Sequence, residues 1–231
     1  LRHVSGRRAV AMDDEWREPA LAGWGLLLDV GVGRYACVSS RERTTGGWGT
    51  GMGVSATGIG RVLGIAKAYC TRVGNGPFPT ELDGEVGQAL REKGGEFGAT
   101  TGRPRRCGWL DLVALRYTCM VNGFNELALT KLDILSGIDE LKVCTEYRYD
   151  GKTTRRFPSE PQNLTRVEPQ YETLPGWEAD ISEVRHVDDL PRAAQDYLAF
   201  IENYLDVEIG LVSNGPRRSQ IITDVQPMAA A

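Results

Sequence analysis

The sequence predicts an α/β fold, a mixed sheet with helices around it. Three observations carry that expectation. Residues 126–130, 141–149 and 208–213 read as short strands. Segments with helical spacing stand between them. The pair Asp150-Gly151 follows the strictly alternating stretch Leu141, Val143, Thr145, Tyr147, Tyr149, which marks a hairpin. Strands that alternate with helices are the pattern of this class.

Taken in order, residues 1–20 carry many charges and no period, and read as irregular or foreign to the fold. Residues 21–60 are glycine-rich, with Leu26-Leu27-Leu28 and the stretch GGWGTGMG. Such glycines permit tight turns and a close backbone approach to a ligand, and equally suit a plain flexible loop. Residues 63–73 fit a strand or a helix, and periodicity does not decide between them. Residues 82–93 predict a helix, with Val86 and Leu90 four apart and Gly94 as its stop. Residues 110–121 predict a second, with Leu110, Val113, Ala114, Tyr117 and Val121 on one face and Gly123 after it. Asp188 and Asp189 before Pro191 signal a third helix start, and Tyr197, Leu198, Ile201 and Leu205 give its buried stripe. Residues 208–213 are the last expected strand, running into Ser213-Asn214-Gly215-Pro216. No repeat or linker interrupts the chain, so one domain over 21–225 is expected, with 226–231 as a disordered tail.

The 231 residues suffice for one large or two small domains, and the 41% hydrophobic content allows a normal core. The net charge of −4 argues against a general nucleic-acid binder. Five cysteines, Cys37, Cys70, Cys107, Cys119 and Cys144, stand at wide spacings with no CxxC pair. That predicts buried free thiols in a reducing compartment rather than disulfides or a zinc site. No apolar run approaches the ~18 residues of a membrane span. No signal peptide is visible, and the cytoplasm is the expected location. The chain begins at Leu1 rather than Met, which suggests a fragment.

Two constellations carry candidate chemistry. Thr130-Lys131-Leu132-Asp133 follows an apolar strand. A carboxylate there can accept both the ring N–H and the exocyclic amine of guanine, a pair adenine does not offer, while a lysine stem covers the purine face. The same four residues also suit an exposed charge pair. Thr100-Thr101-Gly102-Arg103-Pro104-Arg105-Arg106 gathers hydroxyls, a glycine and three arginines whose forks grip carboxylates or phosphates. Three arginines so close repel unless an anion or an acid partner lies between them. A solvated basic loop is the plain alternative, and an RNA-binding patch lacks the interleaved aromatics that stacking needs. The loop 213–216 could close over a base or be a simple turn. No GxxxxGK[ST] loop, no metal-ligand spacing and no catalytic triad is present, and of the two histidines, His3 lies in the irregular start and His186 reads as a surface residue.

Five segments together resemble the adenylosuccinate synthetase family: KAYCTRVGNGPFPTE (67–81), GEFGATTGRPRRCGWLDLVALRY (95–117), VNGFNELALTKLDIL (121–135), YETLPGW (171–177) and LVSNGP (211–216). The resemblance runs from about Leu26 to Thr223, in the order of the family's second half. It implies the P-loop-GTPase-like adenylosuccinate synthetase fold with its N-terminal half missing. It implies a GTP-dependent ligase that forms adenylosuccinate from IMP and L-aspartate. By the same resemblance, Ala99, Thr100, Thr101, Gly102, Arg103 and Pro104 receive aspartate, with Arg103 also near the IMP ribose. Arg105 belongs to the same aspartate and IMP set and also lies near GTP, and Ser39 and Val73 line the IMP site. Lys131, Leu132 and Asp133 hold guanine, and Ser213, Asn214 and Gly215 close its pocket. GTP and Mg2+ are implied, the Mg2+ ligands and the catalytic residues falling in the missing half, and the full-length family is a homodimer. Trp24, in place of an amide residue, and Glu42-Arg43, in place of Asn-Thr, depart from the family at the IMP side. The alternative expectation is an inactive fragment that binds only guanine nucleotide or a dicarboxylate. A half-fold with open sheet edges is expected to aggregate or to need its other half.

Overall fold

The structure is a computed structural model that describes residues 44–52, 55, 59–98, 101–158 and 161–223. The chain divides into two compact units, one of Leu1–Val62 with Met120–Gly123 and one of Leu63–Cys119 with Phe124–Ala231. In the first, α1 (Thr45–Met52) is helical where the glycines predicted turns or a loop. Each interior glycine costs a helix up to about 1 kcal/mol against alanine. Side-chain bonds at the helix start oppose that cost. The Thr45 amide donates to Asn122 Oδ1 at 3.0 Å, and the Thr45 hydroxyl to the Asn122 carbonyl at 3.0 Å. The Gly47 amide donates to Thr44 Oγ1 at 3.0 Å, in the manner of an N-cap. The expected irregular segment 1–20, the tail 226–231 and most of the glycine-rich stretch lie outside the described residues.

The second unit runs β1 (Leu63–Lys67), β2 (Cys70–Arg72), α2 (Glu85–Lys93), β3 (Arg106–Gly108) and β4 (Leu110–Asp111). Then come α3 (Leu112–Asn122), whose last residues belong to the first unit, β5 (Glu126–Thr130), a 3-10 turn (Leu132–Leu135), β6 (Ile138–Tyr149) and β7 (Lys152–Thr154). It closes with α4 (Pro161–Leu164), β8 (Glu168–Trp177), a 3-10 turn (Val187–Asp189), α5 (Arg192–Leu205), β9 (Glu208–Ser213) and β10 (Ile221–Ile222). One sheet has the order β1-β5-β9-β10, with β1, β5 and β9 parallel and β10 antiparallel on β9. A second is built on β6, which pairs with β4, β7 and β8. β2 and β3 form a separate antiparallel pair.

The mixed α/β expectation is met. The strands at 126–130 and 208–213 form over those residues, and the hairpin turns at Asp150-Gly151, both at positive φ (48° and 74°) as its turn type demands. Residues 63–73, ambiguous by period, form two short strands. The predicted helix at 82–93 begins at Glu85 and ends at Gly94. The predicted helix at 110–121 begins two residues late, because Leu110 and Asp111 pair with Val143 and Cys144 as β4. Of the predicted face, Leu110 and Val113 are buried, Leu110 in β4, whereas Ala114, Tyr117 and Val121 are only partly so, and Leu112 and Cys119 are buried in their stead. β9 is not the last strand, since β10 turns back on it.

α5 buries Ala194, Tyr197, Leu198, Ile201 and Leu205 and packs on β8 and β9, over the Leu127, Leu129, Ile209 and Val212 side chains of the first sheet. Full burial of each Leu or Ile among them contributes about 1.5–3 kcal/mol. Of the five cysteines, Cys70, Cys107, Cys119 and Cys144 are free thiols and three are buried, as expected; Cys37 lies outside the described residues. Burial pushes the Cys70 thiol up to about 12 and Cys119 to about 11, so neither is a ready nucleophile. Buried Asp111 starts α3, accepting the Ala114 amide at 3.0 Å and the Tyr147 hydroxyl at 2.5 Å; burial pushes its carboxyl up to about 6.

The β6–β8 pairing requires glycine at 176. A Cβ there would stand 1.6 Å from the Ile138 carbonyl oxygen, which is backbone and cannot swing away. Gly176→Ala is expected to lower stability by about 1–3 kcal/mol or more, the cost of overpacking, read as a shift in urea midpoint.

Candidate functional site

Because β1, β5 and β9 are parallel, their C-terminal ends share one sheet edge. Lys67 pairs in register with Thr130, and Leu129 with Val212, so Lys67, Lys131 and Ser213 emerge side by side. The edge is tied by the Ala68 amide donating to the Thr130 carbonyl and the Thr130 hydroxyl to the Ala66 carbonyl, each at 2.9 Å. Ligands of open α/β sheets bind beyond the carboxyl ends of parallel strands.

Glu96 lies at the centre of this edge. Its side chain is 0% exposed, yet it ion-pairs with three cations: Lys67 at 2.8 Å, Arg105 at 2.8 Å and Lys131 at 3.1 Å. The Tyr69 hydroxyl donates to it at 2.7 Å. Burial alone drives the Glu96 carboxyl up, but the donors from Lys67, Tyr69, Arg105 and Lys131 outweigh it and hold the group at about 2. Burial in turn lowers the Lys67 ammonium, against the pull of Glu96. Three positive charges on one carboxylate leave the edge cationic.

The arginine loop grows from this carboxylate. Phe97 and Pro104 form an antiparallel bridge, and the Arg105 amide donates to the Glu96 carbonyl at 2.9 Å. The tip closes through the Gly98 amide to the Arg103 carbonyl (2.9 Å) and the Gly102 amide to the Gly98 carbonyl (2.8 Å), with Gly102 at φ +63°. Thr101, Gly102, Arg103 and Pro104 are exposed; Ala99, Thr100 and Ser39 lie outside the described residues.

The three arginines do not converge on one anion. Arg106 grips both Glu81 oxygens, which raises its pKa and lowers that of Glu81, and it also donates to the Gly74 and Gly76 carbonyls and stacks over Phe78. Arg105 spends one nitrogen on Glu96. The Arg103 guanidinium meets no acid or acceptor among the described residues.

The second loop follows β5. Lys131 is left-handed at φ 63°, ψ 34°, which folds its stem back so that Nζ reaches both the Gly94 carbonyl and Glu96. Asp133 then sits half-buried in the 3-10 turn. Burial raises its carboxyl, opposed by its own amide and by Lys131 and Lys93. No side-chain donor among the described residues reaches it. Leu132, expected at the ligand, is wholly buried in the core, which leaves only its backbone for contact. In the third loop the Ser213 hydroxyl donates to the Gly215 carbonyl at 3.0 Å. The Asn214 amide is fully buried and donates to the Ile181 (2.5 Å) and Val184 (2.9 Å) carbonyls, so it builds the loop from within. Val73 is exposed in the turn before Gly74. His186 is exposed, as expected, whereas His3, Trp24, Glu42 and Arg43 lie outside the described residues. No cluster of metal-ligating groups occurs among the described residues. No helix there is long and apolar enough to cross a membrane.

Sequence reasoning missed Glu96, Lys67 and Tyr69. Glu96 follows two glycines and carries no period, so only its place before the arginine loop could have drawn attention to it.

A sequence profile described as adenylosuccinate synthetase matches residues 22–222. The chain is 88% identical over 96% of its length to the adenylosuccinate synthetase of Salinibacter ruber, covering 50% of that protein. It is 50% identical over 86% of its length to that of Alkaliphilus metalliredigens, covering 46%. The fold matches a fully ligated adenylosuccinate synthetase from Plasmodium falciparum with a TM-score of 0.85 at 41% identity, covering 87% of this chain and 49% of that one. The chain thus spans about half the length of the curated relatives it matches.

Glu96→Ala leaves three partly buried cations facing one another without their counter-ion and is expected to cost roughly 1–3 kcal/mol in denaturant unfolding. Because folding depresses the Glu96 carboxyl from 4.5 to about 2, its contribution is present above pH 4.5 and is lost as pH falls through that window. Wild-type unfolding free energy should fall across this range more steeply than that of the Glu96→Ala chain.

Proposed function

The chain belongs to the adenylosuccinate synthetase family, and from that premise we propose that it supplies the acid-recognition and guanine-recognition loops of a GTP-dependent ligase that joins L-aspartate to IMP. The observation that carries this reading is that two loops tied to the Glu96 carboxylate each present an unspent group among the described residues. Arg103 presents a free guanidinium fork, and Asp133 a carboxylate with no side-chain donor among the described residues.

The chemistry of each follows from its surroundings. A guanidinium with both N–H edges available receives a carboxylate through two parallel charge-assisted hydrogen bonds, and the exposed Thr101 hydroxyl beside it adds another donor. Asp133 accepts the ring N–H and the exocyclic amine of guanine, and the Lys131 stem lies along the base. Adenine turns an acceptor toward the same carboxylate, so the discrimination is worth about 1–3 kcal/mol. Ser213 and Gly215 close the pocket, Arg105 keeps a nitrogen for the nucleotide, and Val73 offers an apolar wall to IMP. Ala99, Thr100, Gly102 and Pro104 shape the acid loop, and Leu132 contributes backbone only.

In the proposed reaction the γ-phosphoryl group of GTP passes to the 6-oxygen of IMP, releasing GDP. The aspartate amine then attacks the carbon that bears this oxygen, losing a proton as the oxygen leaves with the phosphoryl group as inorganic phosphate. No group of three or more His, Cys, Asp or Glu side chains comes together among the described residues, and the proposal assigns the Mg2+ ligands to the part of the family's length that this chain does not span. The roles assigned to this chain are recognition roles and need no metal. A second copy of the polypeptide and a cytoplasmic location complete the proposal.

Competition between GDP and ADP for the purified chain tests the guanine assignment. Wild type should prefer GDP by about 10–100-fold, and Asp133→Ala should bind both alike. Burial raises the Asp133 carboxyl, and its protonated form turns an O–H toward guanine's own donors. The preference should therefore weaken as pH falls toward that raised value. L-Aspartate affinity should drop at least about tenfold in Arg103→Leu, and unchanged affinity would remove the acid-loop role.

A further inference from the structure

Two recognition loops that are 25 or more residues apart in sequence meet on one side chain. Glu96 Oε2 takes Arg105, at the base of the arginine loop, while Glu96 Oε1 takes Lys131, at the head of the guanine loop. The same Oε1 also takes Lys67 and Tyr69, from the end of β1 and just beyond it. Arg105 is further held by its own carbonyl, which accepts the Arg91 Nε at 2.8 Å. Lys67 is braced by a 2.9 Å bond to the Thr71 hydroxyl. Without the carboxylate, three cations would face each other across a half-buried edge, and like charges at such range repel strongly in a medium poorer than water.

We propose that Glu96 is a positioning residue shared by the two loops: it sets Arg105 and Lys131 at once, so that acid recognition and guanine recognition are built together and lost together. This rests on the recognition reading of the two loops given above. Glu96 is fully buried and touches no ligand in that reading, so its effect passes through the groups it holds. The sign of the effect separates this role from plain electrostatics. Removing a negative charge from a site for anions tightens anionic ligands through space, whereas removing the anchor of two loops weakens them.

The test is isothermal titration of the 231-residue chain with GDP and, separately, with L-aspartate, in wild type, Glu96→Gln, Glu96→Asp and Tyr69→Phe. Glu96→Gln keeps the shape but turns an amide toward the cations, and should weaken both ligands by about tenfold or more. Glu96→Asp keeps the charge and draws the carboxylate back by one methylene. It should weaken both ligands by a smaller factor, and it decides the question if Glu96→Gln does not melt cooperatively. Tyr69→Phe removes the neutral donor alone. It should lower the melting temperature and weaken both ligands together, by less than Glu96→Gln does. Tighter or unchanged binding in the Glu96 variants, or loss of one ligand only, overturns the proposal while the two-loop reading stands. A wild-type chain that binds neither GDP nor L-aspartate overturns the two-loop reading itself, and this proposal with it.

Discussion

A single buried negative charge organises the cationic edge of this protein. Glu96 is removed from water at a cost of several kcal/mol, and only excellent pairing can repay that cost. Here the pairing comes from four donors on three different stretches of chain: Lys67 and Tyr69, Arg105, and Lys131. Each donor arrives on a backbone whose course is fixed by something else. Lys67 rides on β1, Tyr69 is buried and anchored in the core, Arg105 closes a bridged loop, and Lys131 follows β5. The carboxylate and the fold therefore specify each other. Without parallel strands the cations would not assemble, and without the carboxylate they would repel.

The parallel sheet explains why recognition groups collect where they do. Three strands running the same way deliver the turn after β1 and the loops after β5 and β9 to one edge, the arginine loop between α2 and β3 joins them through Glu96 and Arg105, and β10 closes the far side of the sheet by turning back on β9. The loops are then finished by short-range devices. The Asn214 side chain is consumed by the backbone of residues 181–184, and Gln220 is laced to the same segment through the Ser182 carbonyl. The arginine loop is pinched by its own amides. What projects from these scaffolds is correspondingly sparse: Arg103 from one loop and the Asp133 carboxylate from another.

Much of this was legible in the residues. The apolar run at 126–130, the alternation at 141–149 and the Asp-Gly turn each state their structure locally, because strand period and turn chemistry are short-range properties. The motifs around Arg103 and Asp133 were equally visible, since guanidinium forks and strand-end carboxylates have a chemistry that survives without coordinates. The failures are of another kind. β8 contains Pro169, Pro175 and Gly176, residues that argue against a strand, and it exists because a twelve-residue partner, β6, offers a long ladder to pair with. The first two residues of the predicted helix at 110 were taken by the same partner. Glycine-rich α1 forms although propensity opposes it. The role of Glu96 belongs to contacts up to 35 residues away in sequence, and no window of sequence contains it. The predicted arginine cluster divides for the same reason: Glu81, distant in sequence, claims Arg106.

Lys131 occupies the left-handed region, which suits glycine or asparagine and costs a side chain such as lysine on the order of 1–2 kcal/mol. It is from that conformation that its ammonium reaches Glu96. The residue that would relax the backbone is thus not the residue that completes the ion cluster. Local comfort and long-range bonding are set against each other at one position, a point of frustration in an otherwise consistent chain. Selection for stability alone would drift toward glycine there, and such drift would quietly dismantle the junction between the two loops. A lysine held at that position is therefore a signature of use, which thermostabilising redesign would be prone to erase.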